Sequence, residues 1–259
     1  MMLKEYLRTQ GREAVAWYGG LGLLTAQVAR NLALPPSYLG LVARQIDTIG
    51  VRSVAVALTA ALFTGMVLAL QSAVNMARFG AENYVGPVVA LSILRELGPV
   101  LTAILVGGKV ASGITAELGS MKVTEQIDAL RAIGVNYVKR LVVPRIMAAL
   151  VVFPLVTILA DGVGLFGGML IVVFERDVDA YLYWNTIAYW VVMKDFVTGI
   201  AKSVVFGGLV TLIGCYNGLA TTGGTEGLGS STTDTVVQVA MAVIISDFFL
   251  TKLLLFLFW

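Results

Sequence analysis

Long apolar stretches, each containing few charges, dominate the chain. A helix needs about 20 mostly apolar residues to cross a bilayer. Five stretches meet this requirement, over residues 53–77, 85–110, 143–173, 187–214 and 235–258. The chain shows no internal repeat and no linker that would divide it, so residues 1–259 are expected to form one domain. The pattern therefore predicts an all-α integral membrane protein with five transmembrane helices.

Two other segments show helical periodicity but are unsuited to spanning. Residues 37–50 (SYLGLVARQIDTIG) place apolar residues on one face and polar residues largely elsewhere. This pattern predicts an N-terminal amphipathic helix in the membrane interface, with a peripheral helix packed on protein as the alternative. Residues 113–135 (GITAELGSMKVTEQIDALRAIGV) are too polar to span, and they predict a cytoplasmic helix that presents a mixed surface.

Lysine and arginine are concentrated in two of the segments that flank the spans. The segment before the first span and the segment over 111–142 are rich in them, whereas the loops after spans one and three contain only Arg78 and Arg176. Because cytoplasmic loops carry an excess of these residues, we expect a cytoplasmic N-terminus and a periplasmic C-terminus. The predicted loop at 215–234 should also be cytoplasmic, yet it has no Lys or Arg.

Composition supports a membrane protein and narrows its chemistry. Only 13% of the residues are charged, against about 25% in soluble domains. Histidine, the commonest general base and zinc ligand, is absent, and the single Cys215 cannot form an internal disulfide. The nearest match to a phosphate-binding loop, Gly107-Gly108-Lys109, lacks the following Ser or Thr and the distal glycine. We therefore expect no bound cofactor or metal, no ATP hydrolysis by this chain, and no nucleic-acid binding.

Four ionisable residues lie near the centres of predicted spans. Arg95 and Glu96 are in the second span, Lys202 is in the fourth and Asp247 is in the fifth. A charge at this depth costs about 2.5–3.5 kcal/mol on insertion scales, so such a residue is a candidate functional site. Because all four lie at similar depth, we expect that they can meet in one plane.

Adjacent helical residues point about 100° apart, so Arg95 and Glu96 should face different partners. One interpretation is architectural, with Lys202 and Asp247 as a charge pair that holds helices together. Another is a polar pocket in an apolar cavity, which suits an amphiphile with a charged head. An ion- or proton-coupled secondary transporter that uses Glu96, Lys202 and Asp247 as a relay is a rival hypothesis, and a purely structural membrane scaffold is another.

Several motifs, in order along nearly the whole chain, resemble the MlaE/YrbE permease family. They are LRELGPV (94–100), ITAELGSM (114–121), TEQIDALRAIGV (124–135), LVVPR (141–145) and SDFFLTK (246–252). Members are the membrane subunits of ABC transporters that work with MCE-domain proteins. The resemblance implies transport of phospholipid between the inner and outer membranes, which maintains outer-membrane lipid asymmetry, with a sterol-like hydrophobic cargo as an alternative.

The resemblance also implies partners and site residues. The family permease is an inner-membrane homodimer that joins a cytoplasmic ATPase, which uses the ATP, and a periplasmic MCE hexamer; a small STAS-like cytoplasmic subunit is a further candidate. The family's interfacial-helix arginine matches Arg44, and its intramembrane charges match Lys202 and Asp247. The expected substrate-cavity residues are Arg95, Glu96, Leu68, Met76 and Phe79, and the expected ATPase-coupling residues are Glu117, Glu125, Gln126, Asp128 and Arg131.

Two positions depart from the family pattern. The coupling segment continues into Asn136-Tyr137, where the family often has Asp-Pro. The segment 227–237 (GLGSSTTDTVV) lacks the arginines that close relatives carry before the fifth span.

Overall fold

The computed structural model describes residues 2–32, 39–176 and 178–258, and within these ranges the chain is helical with no strand. We number eight helical segments in chain order. They are α1 (Met2–Leu32), α2 (Leu39–Ala77), α3 (Glu82–Val123), α4 (Gln126–Ala132), α5 (Val138–Glu175), α6 (Ala180–Trp190), α7 (Met193–Ala220) and α8 (Gly224–Phe258).

Five of the described helices are long and apolar enough to cross a membrane: α2, α3, α5, α7 and α8. This confirms the predicted all-α membrane fold. Several predicted boundaries were wrong. The second span continues past residue 110 to Val123, residues 187–190 belong to α6, and the fifth helix begins at Gly224 instead of residue 235.

The region 215–234 is therefore mostly helical, and only residues 221–223 connect α7 to α8. Gly223 and Gly224 both have positive φ, which allows so tight a reversal. The lack of Lys and Arg in this region no longer bears on orientation, because a three-residue connection has little room for them.

The two segments predicted to be helical but not spanning are organised differently from expectation. From Leu39, the predicted interfacial helix continues through a π-helical turn at Asp47–Val51 into the first span, so within the described residues it is not a separate element. Residues 37 and 38 lie outside the described residues. The first part of the 113–135 segment is the end of α3, and only α4 forms a separate short helix after it.

Two helices were absent from the prediction. The first, α1, packs on α7: the Trp17 indole donates a hydrogen bond to Asn217 Oδ1 at 3.0 Å, and Gly20 leaves room for the Tyr216 ring. Leu24 and Val28 are buried in the core, whereas Val15 and Tyr18 are exposed, so α1 is amphipathic. The second, α6, packs against the start of α3 through Tyr183 and Ile187.

Glycines allow α2 and α5 to pack backbone to backbone. A Cβ at Gly65 would overlap the carbonyl of Gly164, and a Cβ at Gly167 would lie 2.5 Å from the Leu62 carbonyl oxygen. The GxxxG sequence that starts at Gly164 therefore serves packing within one chain, which was one of the two interpretations open from sequence.

Two π-helical turns precede prolines by the same spacing. The turn Ile93–Leu97 lies two residues before Pro99, and the turn Val138–Val142 lies two residues before Pro144. Because proline has no N–H, the carbonyl four residues earlier loses its helical donor. The helix widens locally, and Gly98 N–H bonds to the Ile93 carbonyl instead of the Leu94 carbonyl. The first of these turns contains Arg95 and Glu96.

Candidate functional site

Arg95 forms an ion pair with Asp195 at the start of α7. Arg95 Nε donates a hydrogen bond to Asp195 Oδ1 at 2.6 Å, and Arg95 Nη2 lies 2.5 Å from the same oxygen. The other carboxylate oxygen accepts from the Val192 N–H at 2.9 Å. The Asp195 side chain is fully buried, and that of Arg95 is 30% exposed. Asp195 thus caps α7 and fixes Arg95 at the same time.

Lys202 joins three elements at one point. Its side chain is fully buried, and its ammonium contacts the Glu96 carboxylate, Asp247 Oδ1 at 2.9 Å and Thr251 Oγ1 at 2.7 Å. Glu96 is on α3, whereas Asp247 and Thr251 are on α8. The structure thus contains the predicted Lys202–Asp247 pair and adds Glu96 to it. The prediction that Arg95 and Glu96 face different partners is confirmed.

The widened turn and a glycine explain how these side chains are positioned. The Leu94 carbonyl points at α7, where a Cβ at Gly199 would overlap it, so α3 and α7 can approach closely here. Where α3 meets α5, a buried Asp161 occupies the space that a Cβ at Gly98 would need. Packing against α5 and α7 holds the turn, and Arg95 and Glu96 project from it toward α7 and α8.

An open groove of about 740 Å³ lies beside this charge cluster. Its walls combine apolar side chains with Arg95, Glu96, Thr198 and Thr251. Glu96 is 42% exposed and Asp247 is 22% exposed, whereas Lys202 is fully enclosed. The groove therefore presents carboxylate and guanidinium atoms next to hydrocarbon, and its apolar wall includes Leu91, Leu254 and Leu255.

The three other predicted cavity residues lie elsewhere in the single chain. Leu68 and Met76 pack against a second apolar cluster between α2, α3, α5 and α6. Phe79 follows the end of α2 and is 81% exposed. None of the three lines the groove beside Arg95 and Glu96, so their role in a substrate cavity stays a prediction.

Four of the five predicted coupling residues cluster around α4. Asp128 accepts from Lys122 Nζ at 2.8 Å and from Arg131 Nη1 at 3.2 Å. The Lys122 hydrogen bond holds the pKa of the Asp128 carboxyl below its ordinary value. Glu125 precedes the helix with φ of 58°, a left-handed conformation that is strained for a residue with a Cβ. Gln126 donates to Thr124 Oγ1.

Glu117 and Arg44 are placed apart from α4. Glu117 is in the last part of α3, and its carboxylate lies 2.8 Å from Nη2 of the buried Arg145 at the start of α5. Glu117 therefore ties α3 to α5, the two helices that flank α4. Arg44 is exposed on the first part of α2, and its predicted interfacial role stays a prediction.

Sequence reasoning missed Asp195 and Thr251 as members of the cluster. Asp195 lies near the start of a predicted span, where a charge is ordinary, so its depth gave no signal. The carboxylate partner of Arg95 had to come from another helix. Asp195 is the acid within the predicted fourth span, so it was a candidate for this partner. Thr251 is four residues after Asp247, on the same helical face, and this spacing was a usable signal.

Comparisons with known proteins agree with this architecture. The family model described as Permease MlaE matches residues 42–253. A probable ABC transporter permease protein of Rickettsia typhi is 39% identical over 224 residues, which is 86% of each chain. The intermembrane phospholipid transport system permease protein MlaE of Haemophilus influenzae is 35% identical over 257 residues, or 98% of each chain.

A plant protein is also similar. Protein TRIGALACTOSYLDIACYLGLYCEROL 1, chloroplastic, of Arabidopsis thaliana is 34% identical over 209 residues, which is 81% of this chain and 60% of that protein. The family match covers all four intramembrane charges and the whole of α4. This chain belongs to the MlaE permease family.

Proposed function

We propose that this chain is the permease subunit of an ABC transporter that moves phospholipid between the inner and outer membranes. The observation that carries the proposal is the groove in which Arg95 and Glu96 lie beside an apolar wall. A relative that aligns with 98% of the chain at 35% identity is named as an intermembrane phospholipid transport permease, and this supports the same cargo class.

The groove has the chemistry that a phospholipid requires. Arg95 and Glu96 offer one cationic and one anionic group at its surface, which complements the phosphate and amine of a zwitterionic head. The leucines beside them offer hydrocarbon for an acyl chain. Lys202 is enclosed by Glu96, Asp247 and Thr251, so its role is to hold the carboxylates in place rather than to contact cargo.

The remaining assignments belong to the same proposal. The chain works as a homodimer, with its N-terminus in the cytoplasm and its C-terminus in the periplasm. A cytoplasmic ATPase binds at α4, a periplasmic MCE hexamer receives the lipid, and a small STAS-like subunit is a further candidate partner. The exposed charges of Glu125, Asp128 and Arg131 support docking at α4.

A secondary transporter is the rival function, and one observation favours it. Lys202 links two carboxylates, Glu96 and Asp247, and such a chain of ionisable groups can pass a proton. The two functions differ in their energy source. Transport that requires ATP and a partner ATPase supports the proposal, whereas transport driven by a pH gradient without ATP supports the rival.

The most direct test of the assembly is purification of the tagged chain from its native membrane in mild detergent. The proposal predicts an ATPase, an MCE-domain protein and bound phospholipid in the same complex. Sterol-like molecules in place of phospholipid would change the cargo class. A chain that purifies without any ATPase would contradict the proposal.

A further inference from the structure

Helix α6 lies outside the spans, yet its surface is aromatic and uncharged. Its sequence, AYLYWNTIAYW, contains five Tyr and Trp residues and no Asp, Glu, Lys or Arg. Tyr183 is buried against the protein together with Ile187. The other four aromatic side chains are exposed, and they are Tyr181, Trp184, Tyr189 and Trp190. The free face of α6 therefore presents aromatic rings to its surroundings.

The contacts of α6 place it at the level at which α3 begins. A Cβ at Gly86 would lie 3.1 Å from the Tyr183 carbonyl oxygen and 3.3 Å from Ile187 Cγ1. Gly86 is ten residues before Glu96, which is about 15 Å at 1.5 Å per residue. The hydrocarbon core of a bilayer is about 30 Å thick. Because Glu96 lies near the centre of its span, α6 lies near the edge of this core.

Both ends of α6 lie at this level. Before its first residue, the Val178 N–H donates a hydrogen bond to the Val172 carbonyl on α5 at 3.4 Å. A Cβ at Gly168 would lie 3.1 Å from Val89 Cγ1, so these two positions of α5 and α3 are level with each other. Val172 is one turn further out on α5, as Val85 is on α3. The helix therefore crosses the end of the bundle roughly parallel to the membrane plane.

The last residue of α6 supports this orientation. The Trp190 ring packs edge-on against the ring of Tyr84, with 6.0 Å between their centroids, and Tyr84 directly precedes the regular part of α3. The exposed aromatic surface continues beyond α6 to Tyr84 and to Phe174 at the end of α5. Aromatic side chains from three helical segments thus lie together at one end of the molecule.

The interface between lipid and water is the environment that fits this surface. Tyr and Trp are enriched at that level of a membrane, because each combines an apolar ring with a polar O–H or N–H group. A docking surface for a water-soluble protein has a polar rim, whereas α6 supplies no charged side chain to such a rim. Exposed apolar surface of this kind at the edge of the hydrocarbon core favours contact with lipid.

We propose that α6 is a membrane-interface helix whose exposed Tyr and Trp side chains bind the headgroup region of the bilayer, at the end of the molecule opposite α4. Only Val191 and Val192 separate α6 from α7. The Val192 N–H donates to Asp195, which in turn holds Arg95. The interface helix therefore fixes the depth at which one wall of the groove begins, and this role does not depend on the identity of the cargo.

The test measures the depth of α6 with nitroxide labels. The single native cysteine, Cys215, is buried, so a cysteine introduced at the surface is the one that reacts. Tyr181→Cys and Tyr189→Cys are labelled in the full chain and reconstituted in phosphatidylcholine liposomes. Power-saturation EPR compares collisions of each label with oxygen, which concentrates in lipid, and with a water-soluble nickel chelate. Both labels should report the same interfacial depth, whereas a helix along the membrane normal would separate them by about 12 Å.

Two control labels define the ends of the depth scale. Ile133→Cys, just after α4, is exposed and outside the spans, so its label should collide freely with the nickel chelate. Leu159→Cys is exposed on α5 two residues before Asp161, at the level of the widened turn, so its label should be shielded from the chelate and open to oxygen. The α6 labels should collide with the chelate several-fold less than the label at 133 and more than the label at 159.

Three outcomes would overturn the proposal. Labels on α6 that are as open to the chelate as the label at 133 would show that this face stands in water and is suited to a protein partner. Labels shielded from both oxygen and the chelate would place the face in a protein–protein contact. Depths that differ between Tyr181→Cys and Tyr189→Cys by the length of the helix would show that α6 does not lie in the interface. The two sites are independent, so a variant that fails to fold leaves the other to decide.

Discussion

The members of the Arg95–Asp195 and Lys202–Glu96 ion pairs differ in how far each side chain is buried. Asp195 and Lys202 are fully buried, whereas their partners Arg95 and Glu96 are partly exposed in the groove. In the first pair, removal of the exposed Arg95 leaves the buried Asp195 charge without its partner, which costs about 3–5 kcal/mol. Removal of Asp195 leaves an arginine that can still reach the groove. Lys202 differs because it has a second partner in Asp247, so loss of Glu96 does not leave it unpaired.

For the first pair, Arg95→Gln should destabilise the protein more than Asp195→Asn. The asparagine keeps an oxygen that can accept from the Val192 N–H, so the cap of α7 survives, and we expect a loss of about 1–3 kcal/mol. The thermal unfolding midpoints of both variants in the same detergent show which variant is the less stable. An Asp195→Asn variant that is the less stable of the two would show that burial does not decide the cost.

For the second cluster, Lys202→Met should be the most destabilising single change. It leaves Glu96 and Asp247 close together without a counter-ion, whereas Glu96→Gln leaves Lys202 paired with Asp247. Glu96→Gln should therefore fold and move less lipid. The measurement combines detergent thermal stability with reconstituted lipid transfer. A Glu96→Gln protein that is unstable, or stable and fully active, would contradict this role.

The sequence was informative about which residues are unusual and less informative about their partners. Mid-span charges stand out because they are costly, and three of the four predicted ones meet at Lys202. Asp195 did not stand out, because an acid at a helix start needs no special explanation. The positions of Leu68 and Met76 depend on which face of α2 turns toward α5, and a uniformly apolar helix does not reveal that face.

Among the helices, the widened turn at Ile93–Leu97 is the feature most open to test. Pro99→Ala restores the N–H that the Arg95 carbonyl lacks, so the turn can become regular α-helix and rotate Arg95 and Glu96. We expect thermal stability to be kept or raised, because proline inside a helix costs about 3 kcal/mol relative to alanine. Lipid transfer, measured in proteoliposomes, should fall.

Pro144→Ala is the matched control for this change. It makes the same local alteration after the turn Val138–Val142, which lies away from the charge cluster. The control should leave lipid transfer close to that of the wild type. Equal losses of transfer in both variants would mean that the effect of Pro99 is general to proline and does not act through Arg95 and Glu96.

Helix α4 offers a second test, at the strained residue that precedes it. Glu125→Gly removes a left-handed strain of about 1–2 kcal/mol, and Glu125→Gln removes only the charge. If the carboxylate contacts the ATPase, both variants should bind the ATPase more weakly, while only Glu125→Gly gains thermal stability. Pull-down with the purified ATPase measures the binding. Unchanged binding in both variants would move the coupling site away from Glu125.

Element boundaries were the weakest part of the sequence prediction, for identifiable reasons. α3 is helical to Val123 because nothing in residues 111–123 breaks a helix; they are polar, and the prediction used polarity to end the span. α8 begins at Gly224 for the same reason, despite its polar first turns. The aromatic α6 was partly assigned to the fourth span because both are apolar, and only the two extended residues Val191 and Val192 separate them.

At the scale of the whole molecule, the number of spans and the family were predictable from the sequence. Long apolar runs and motifs in a fixed order can be recognised even when the ends of the helices are placed wrongly. The attachment of α1 was not predictable. It depends on a buried network in which Asn217 accepts from Trp17 and donates to Thr235 and Gln238, which are separated in the sequence. Such long-range polar contacts leave no periodic pattern in a single sequence.

The central claim is that this chain moves phospholipid only when an ATPase drives it. The direct measurement is transfer of labelled phospholipid from proteoliposomes that contain the chain with its ATPase and MCE partners. We predict transfer that requires ATP, is lost when the ATPase is omitted, and is reduced in Glu96→Gln. Transfer that proceeds under a pH gradient without ATP would contradict the account. A complete complex that hydrolyses ATP but transfers no phospholipid would contradict it as well.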